Sequence, residues 1–352
     1  MKLFEIINKL EEEFPLNLQE TWDNSGLLIG DKNSEISKVQ ISLDITESVI
    51  DNAIEKGCEL IITHHPVIFE NIKRINDSTV LGKKILKLIK NGINVYSAHT
   101  NLDSAKDGLN SYIAQKLLAK DAKIMDENYY SVYKMNIFVS KSILEEVLSI
   151  LNGSKELEFL EYKRVSYTSK VTERILENNE IKELESYNIQ IMGEKNKLYS
   201  ILNKIKERHP INQIAFEILS LENKHKTGTG LGRIFKVEET MSFEECINFV
   251  KEKLNLDFVK IVKANDNPIK KIAVVNGSGA EFWKKAYDMG ADVFITGDFK
   301  YHYALDAFEK GLNIIDIGHY EAEHFFNEII IKKLDDNLKI EVYNEKRILE
   351  IK

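Results

Sequence analysis

The two ends of this chain repeat one another, and that repeat restricts the fold more than any other feature. Near the start, Ala53-Ile54-Glu55-Lys56-Gly57-Cys58-Glu59 leads into the apolar run Leu60-Ile61-Ile62-Thr63. Near the end, Ala286-Tyr287-Asp288-Met289-Gly290-Ala291-Asp292 leads into Val293-Phe294-Ile295-Thr296. Each reads as the last turn of a helix, a glycine C-cap and a strand that ends at Thr. A second pair follows in the same order. Lys90-Asn91-Gly92-Ile93-Asn94-Val95-Tyr96 parallels Glu309-Lys310-Gly311-Leu312-Asn313-Ile314-Ile315, and both runs lead into a histidine, His99 or His319. One match could be chance; two in the same order favour a duplicated βαβ framework. Each half also opens with a strand and a crossover helix, 39–43 then 47–56 and 271–275 then 280–289. The expected fold class is α/β, with parallel-rich sheets covered by helices. Cys58 stands where the second copy has Ala291, which marks it as a small core residue rather than a nucleophile.

The middle of the chain, from about Tyr129 to Asn223, does not echo the flanks. It reads as a strand over 132–139, a helix over 141–151 and a strand-like run over 159–169. A strand over 187–192, a helix over 195–208 and a last strand over 213–219 follow. That order is the signature of a ferredoxin-like α+β domain. Polar linkers, Asp126-Glu127-Asn128 and Glu222-Asn223-Lys224, bracket it. The expected organisation is a first half of one α/β domain over 1–128, an insert over 129–224, and the second half over 225–352. His209 and His225 fall in loops of the insert without partner spacing.

The candidate chemistry lies at strand ends. His64 and His65 leave the C-terminal end of the 60–63 run together, and Pro66 ends the strand and fixes the turn. Neighbouring strand residues point to opposite faces, but at a strand end the chain turns and two rings can converge. In an α/β sheet that edge is where ligands bind. A second run, 93–98, ends in His99-Thr100-Asn101-Leu102-Asp103. A loop Asp before a helix is usually an N-cap. Asp107, however, lies nearer the helix expected over 109–118 and is the better cap, which frees Asp103 for a metal. Downstream, Ile314-Ile315-Asp316-Ile317-Gly318 delivers His319, with Glu323 at i+4 in a helix expected over 320–334, so the two share a face. Glu321 should point elsewhere, and His324 reads as a solvent-facing or supporting residue.

His64, His65, Asp103, His319 and Glu323 are too many donors for one tetrahedral zinc and too few to saturate two octahedral ions. They suit two divalent metal ions per chain, with Asp103 or Glu323 bridging and water in the open positions. Mixed imidazole and carboxylate donors suit zinc, iron, manganese or cobalt. The Gly228-Thr229-Gly230-Leu231-Gly232-Arg233 stretch lacks the Lys-Ser/Thr of a P-loop and the spacing of a dinucleotide fingerprint. It is expected to be a tight re-entry loop with Arg233 near the site. Trp22-Asp23-Asn24-Ser25-Gly26-Leu27 precedes another apolar run and is expected either to line the pocket, the reading preferred, or simply to make a turn.

TWDNSGLLIG, LDIT, IITHHPVIF, SAHTNLD, GLGRI, ITGDFKYH and IGHYEAE resemble the motifs of the GTP cyclohydrolase I type 2 homologues, the Nif-three-like dinuclear metal proteins. The resemblance covers both flanks and so most of the chain. It implies the same metal ligands, His64, His65, Asp103, His319 and Glu323. His99, Asp298 and His302 fall in family motifs beside that site as supporting candidates, not ligands. The resemblance further implies a PII-like or CutA-like insert and a toroidal homohexamer whose metal sites face an inner cavity. The activity it implies is metal-dependent hydrolysis of a nucleotide-like or phosphorylated substrate, with GTP as the named candidate. The alternative is a non-catalytic, metal-binding oligomeric scaffold or regulatory adaptor. Two positions depart from the family pattern: Ser25, where Val is frequent, and Phe235, where Gly is frequent.

Several function classes are disfavoured. A net charge of -8 argues against a general nucleic-acid-binding surface. The N-terminal MKLFEIINKLEEEFP carries acids inside an amphipathic pattern, unlike a signal peptide. No stretch approaches the roughly 20 apolar residues of a membrane span. Cys58 and Cys246 lie far apart and outside metal-type spacing, so a reducing cytoplasm is the expected location.

Overall fold

Leu60–Thr63, Asn94–Ser97, Val293–Thr296 and Asn313–Asp316 are strands in which every residue is buried. Continuous burial of this kind belongs to parallel strands covered on both faces. The computed structural model describes residues 1–345 except 160, 161, 164, 178 and 210–213, and of 158, 159, 162, 163, 177 and 223 the backbone only. Parts of the runs expected over 159–169 and 213–219 therefore lie outside the described residues.

The described chain divides into two units, one of residues Met1–Asn128 with Gly228–Lys352, the other Tyr129–Thr227. In the first unit, one sheet has the order Gly26–Ile29, Asn94–Ser97, Leu60–Thr63, Lys38–Ser42, Lys339–Val342. Its pairs are parallel except the antiparallel edge formed by Gly26–Ile29. The second half builds the same plan: Lys260–Val262, Asn313–Asp316, Val293–Thr296, Ile269–Val274, then Ala215–Met241. Here too the three central strands are parallel, and an antiparallel strand lies outside Asn313–Asp316. The registers match as well, since Leu60 lies opposite Asn94 as Val293 lies opposite Asn313.

Alternation along each strand sorts side chains into layers. Leu60 and Ile62 join Val293 and Ile295 in one shared core, with side chains of the Leu3–Glu13, Leu109–Lys116, Phe243–Leu254 and Phe326–Ile331 helices. Ile61 and Val95 face the other way, onto Val49, Ile50 and Ala53 of the Glu47–Lys56 helix and Ile85 and Leu88 of Val80–Lys90. Phe294 and Ile314 do the same against Trp283, Ala286 and Ala307. Cys58 packs in the first of these outer layers, where burial pushes its thiol up to about 11, so it is a core side chain.

The glycine caps explain how each helix turns back into its strand. Gly57 and Gly311 have φ of 66° and 79°, left-handed values that cost an L side chain about 1 kcal/mol or more. The Gly57 N–H closes onto Ala53 O and Ile54 O, ending the Glu47–Lys56 helix one residue before the chain extends.

Four local expectations change. Gly228–Arg233 is not a re-entry loop; it lies inside the long strand Ala215–Met241. A Cβ on Gly230 would fall 2.1 Å from the Asp126 carbonyl oxygen, so glycine there serves close backbone approach. The helix expected over 320–334 is broken into His319–Glu323 and Phe326–Ile331. Asp103 sits in a five-residue helix, Thr100–Ser104, rather than a loop. Asp107 does not cap the next helix, because Gly108 holds the N-cap position.

Apart from a short two-stranded pair, Glu158–Phe159 with Tyr162–Lys163, the second unit carries strand, helix, strand, strand, helix, strand along the chain: Lys123–Ser140, Leu144–Gly153, Ser166–Glu177, Glu180–Gly193, Lys195–Arg208 and Ala215–Met241. Its strand order is Ala215–Met241, Lys123–Ser140, Glu180–Gly193, Ser166–Glu177. It has its own core, in which Val147, Ile150 and Leu151 of one helix meet Leu198, Ile201 and Ile205 of the other. No described helix is long and apolar enough to cross a membrane.

Candidate metal centre

The C-terminal ends of the buried strands from both halves converge. Leu60–Thr63 delivers His64 and His65, Asn94–Ser97 delivers His99 and the Thr100–Ser104 helix, and Asn313–Asp316 delivers the His319–Glu323 helix. Thr63 Oγ1 pairs with Ser97 Oγ at 2.9 Å and with His65 O at 2.9 Å, locking two of these ends together.

Each of the three candidate histidines is pinned through Nδ1. His64 Nδ1 donates to the Ala98 carbonyl at 2.8 Å, His65 Nδ1 to Asp44 Oδ1 at 3.0 Å, and His319 Nδ1 to Asp298 Oδ2 at 2.8 Å. A carbonyl or carboxylate only accepts, so these bonds fix the tautomer and turn every Nε2 lone pair inward. The Nε2 atoms meet Glu323. Its Oε2 lies 3.0 Å from His65 Nε2 and 3.1 Å from His319 Nε2. Its Oε1 lies 3.5 Å from His64 Nε2, and Asp103 Oδ1 lies 3.7 Å from the same nitrogen.

Three groupings have potential ligand atoms within 4.8 Å of one another: His64-Asp103-Glu323, His65-His319-Glu323 and His64-His65-His99. The first two share Glu323, which offers one oxygen to each. His64 is fully buried, and among the described residues its Nε2 has no hydrogen-bond partner. Lone pairs aimed at carboxylate oxygens repel, and a cation between them removes the repulsion. The donor set therefore fits a divalent metal.

Without a cation, protons take that role. Burial opposes charge on His65, yet Asp44 and Glu323 raise it to about 10. Glu323 raises His319 to about 9 against its burial. Burial pushes the other way on Glu323, but His64, His319 and His65 hold its carboxyl well below the usual range. Burial raises Asp103, which only partly recovers through His64.

Residues that the motif reading did not select complete the site. Asn276 Nδ2 donates to Asp103 Oδ1 at 2.9 Å, and Asn110 holds Asn276 in place by bonds of 2.6 and 3.0 Å. Gly277, with φ of 58°, leaves room for Glu323, since a Cβ there would lie 2.2 Å from Oε1. Asn276 and Gly277 follow Ile269–Val274, another parallel strand end. Taking every such end in both halves as a candidate would have found them, and Asp44 too.

His99 is fixed by Asp23, whose Oδ1 accepts from Nδ1 at 2.7 Å. Burial opposes the Asp23 charge, but the bonds from His99 and Thr100 keep its carboxyl far below the ordinary range. His99 borders the cluster, its ring centroid 5.0 Å from that of His64 and 5.5 Å from that of His65. His302 is exposed on the Tyr301–Lys310 helix, beside Tyr301, and joins none of the groupings. His324 is half-buried, stacked on Tyr320 and tilted against Phe325. Arg233 is buried and staples the stretch after Asp103, donating to Ala105 O at 3.0 Å and Lys106 O at 3.3 Å. Beside the cluster, a cavity of about 310 Å³ is lined by Asp44, His65, Pro66, Val67, Leu81 and Lys84.

The sequence model of Duf34/NIF3 (NGG1p interacting factor 3) matches residues 1–349. The chain belongs to the Duf34/NIF3 family. It is 34% identical over 341 residues to the GTP cyclohydrolase 1 type 2 homolog of Staphylococcus epidermidis, spanning 93% of this chain and 91% of the relative. Among solved structures, Staphylococcus aureus protein SA1388 superposes with a TM-score of 0.78 at 30% identity, covering 100% of this chain and 99% of that one. A Bacillus cereus protein related to NIF3 gives 0.75 at 32% identity, covering 98% and 97%.

Proposed function

We propose that this Duf34/NIF3 protein is a dinuclear-metal hydrolase acting on a nucleotide-like substrate. The carrying observation is the division of Glu323, whose two oxygens face two separate sets of donors. In this reading His64, Asp103 and Glu323 would hold one divalent ion, and His65, His319 and Glu323 the other. When bound, such ions supply Lewis acidity and hydroxide at neutral pH. Zinc, iron and manganese all suit the donors.

The rest is work for the chain. Asn276 and Asn110 orient Asp103, Asp44 and Asp298 orient His65 and His319, and the burial of Glu323 keeps bulk water from competing for its oxygens. His99 holds a proton on Nδ1 against Asp23, which leaves Nε2 to accept or return a proton at the reacting group. GTP is the first substrate to try, because the Staphylococcus epidermidis relative is named for a GTP cyclohydrolase.

The second unit enters the proposal as a ferredoxin-like, PII- or CutA-like module, supported by its element order and by a strand order of fourth, first, third, second. A toroidal homohexamer and a cytoplasmic location complete it. A second reading, a non-catalytic scaffold, draws on the hairpin of Ser166–Glu177 and Glu180–Gly193, which exposes Leu176 and Ile181.

The test is metal-replete protein, beside an Asp103→Ala control, incubated with a nucleotide panel while formate, phosphate and base absorbance are followed. Turnover by the unaltered protein alone supports the hydrolase. Silence across the panel with two ions bound, together with loss of oligomer assembly in the control, favours the scaffold.

A further inference from the structure

The rim of the centre carries an aromatic pair that the hydrolytic machinery above does not use. Trp22 is 57% exposed and Phe69 is 50% exposed, with ring centroids 5.7 Å apart at 44°. Both rings meet His99 edge-on, at 6.1 and 6.3 Å, and His99 in turn borders His64 and His65. The pair is therefore continuous with the candidate metal centre.

The mounting of Trp22 is rigid although its ring is exposed. Asp23, the next residue, accepts bonds from His99 Nδ1, Thr100 N, Thr100 Oγ1 and Ser25 Oγ. Asn24 Nδ2 donates to Ile68 O at 2.7 Å, which ties the Trp22 segment to the Phe69 segment. An exposed indole held this firmly contributes little to the core, so its position has another use. Two aromatic side chains bury roughly 300–500 Å² in all, well short of the ~1,200 Å² of a standard protein interface. That size suits a small flat ligand rather than a partner surface.

We infer that Trp22 and Phe69 form a stacking platform that takes the planar heteroaromatic ring of the substrate, a nucleobase-sized ring, beside the metal centre. The inference rests on the hydrolase reading for its occupant, and it assigns the specificity of that site to two residues that touch neither metal. Stacking is tolerant of ring identity, because every base offers a π-face. The platform therefore selects for a flat ring, and the groups at the centre select the reacting bond.

The tryptophans make the test direct. The chain has two, Trp22 and Trp283, and Trp283 is buried. In full-length, zinc-loaded Trp283→Phe protein, emission reports Trp22 alone. GMP is expected to quench it saturably, and ribose 5-phosphate, which lacks the ring, is expected not to. By calorimetry, Phe69→Leu and Trp22→Leu are expected to weaken GMP binding about tenfold, with Trp22→Phe recovering most of it. Zinc content should be unchanged in all three. Equal affinity for ribose 5-phosphate, or no quenching with zinc bound, overturns the platform. So does Trp22 emission that is blue-shifted and varies with protein concentration, since a second copy then covers the pair. Loss of zinc in both leucine variants would make the pair structural and overturn it as well. GMP binding without turnover of any nucleotide would sustain the platform while removing the hydrolase reading.

Discussion

Gly277→Ala should damage metal binding far more than stability. The residue has φ of 58°, so alanine costs about 1 kcal/mol through backbone strain alone. The new methyl would also sit 2.2 Å from Glu323 Oε1, well inside ordinary contact, so the carboxylate must retreat by on the order of 1 Å. Because Glu323 faces both donor sets, both should weaken, by roughly 10–100-fold as when other supporting contacts of metal ligands are lost. Gly57→Ala is the matched control. Its φ is 66° and a Cβ there meets nothing within 4 Å, so it carries the same backbone strain without the collision. Both variants should melt about 2–4 °C lower than the unaltered chain. Zinc affinity measured by calorimetry should fall only in Gly277→Ala. Equal zinc affinities in the two variants would refute the assignment of Gly277 as the cradle for a ligating Glu323.

Other consequences can be checked as readily. Asn276→Ala should loosen Asp103 and weaken metal binding about tenfold, read by metal competition with a chromophoric chelator, whereas His302→Ala should leave it unchanged. Zinc affinity should rise with pH between about 6 and 9. In the metal-free protein His65 is raised to about 10 and His319 to about 9, so both shed protons when zinc binds, and calorimetry in buffers of different ionisation enthalpy should detect the release. The same shifts stabilise the metal-free fold fully below pH 6.5, and that contribution is lost as pH rises through about 9 and 10, which pH-dependent melting curves would register. Arg233→Met should cost about 3 kcal/mol in denaturant melts, because it strips buried carbonyls at Ala105, Gly230 and Gly232 of their donor.

The repeat was legible because its signals are local: a glycine cap, then a short apolar run. Those signals placed the strands that deliver His64, His65, His99 and His319. The i, i+4 relation of His319 and Glu323 was equally local, and the two side chains meet at 3.1 Å. Asn110 and Asn276 were not legible, since their amide pair closes across 166 residues and neither carries a charge or a motif of its own. Asp44 and Asp23 act through rings far along the chain, at sequence separations of 21 and 76. Asp107 misled for the opposite reason. Its spacing suited a cap, but the chain enters the helix one residue later, at Gly108. The glycine-rich run before Arg233 misled because close packing of strands and tight turns draw on the same residue.

In the proposed centre, two ions would share Glu323. The metal-to-protein ratio, by elemental analysis of reconstituted and desalted protein, tests it most directly. Two ions per chain are expected in the unaltered protein, one in His319→Ala, and neither held firmly in Glu323→Gln. One ion per chain at saturation, or two retained by Glu323→Gln, would contradict it.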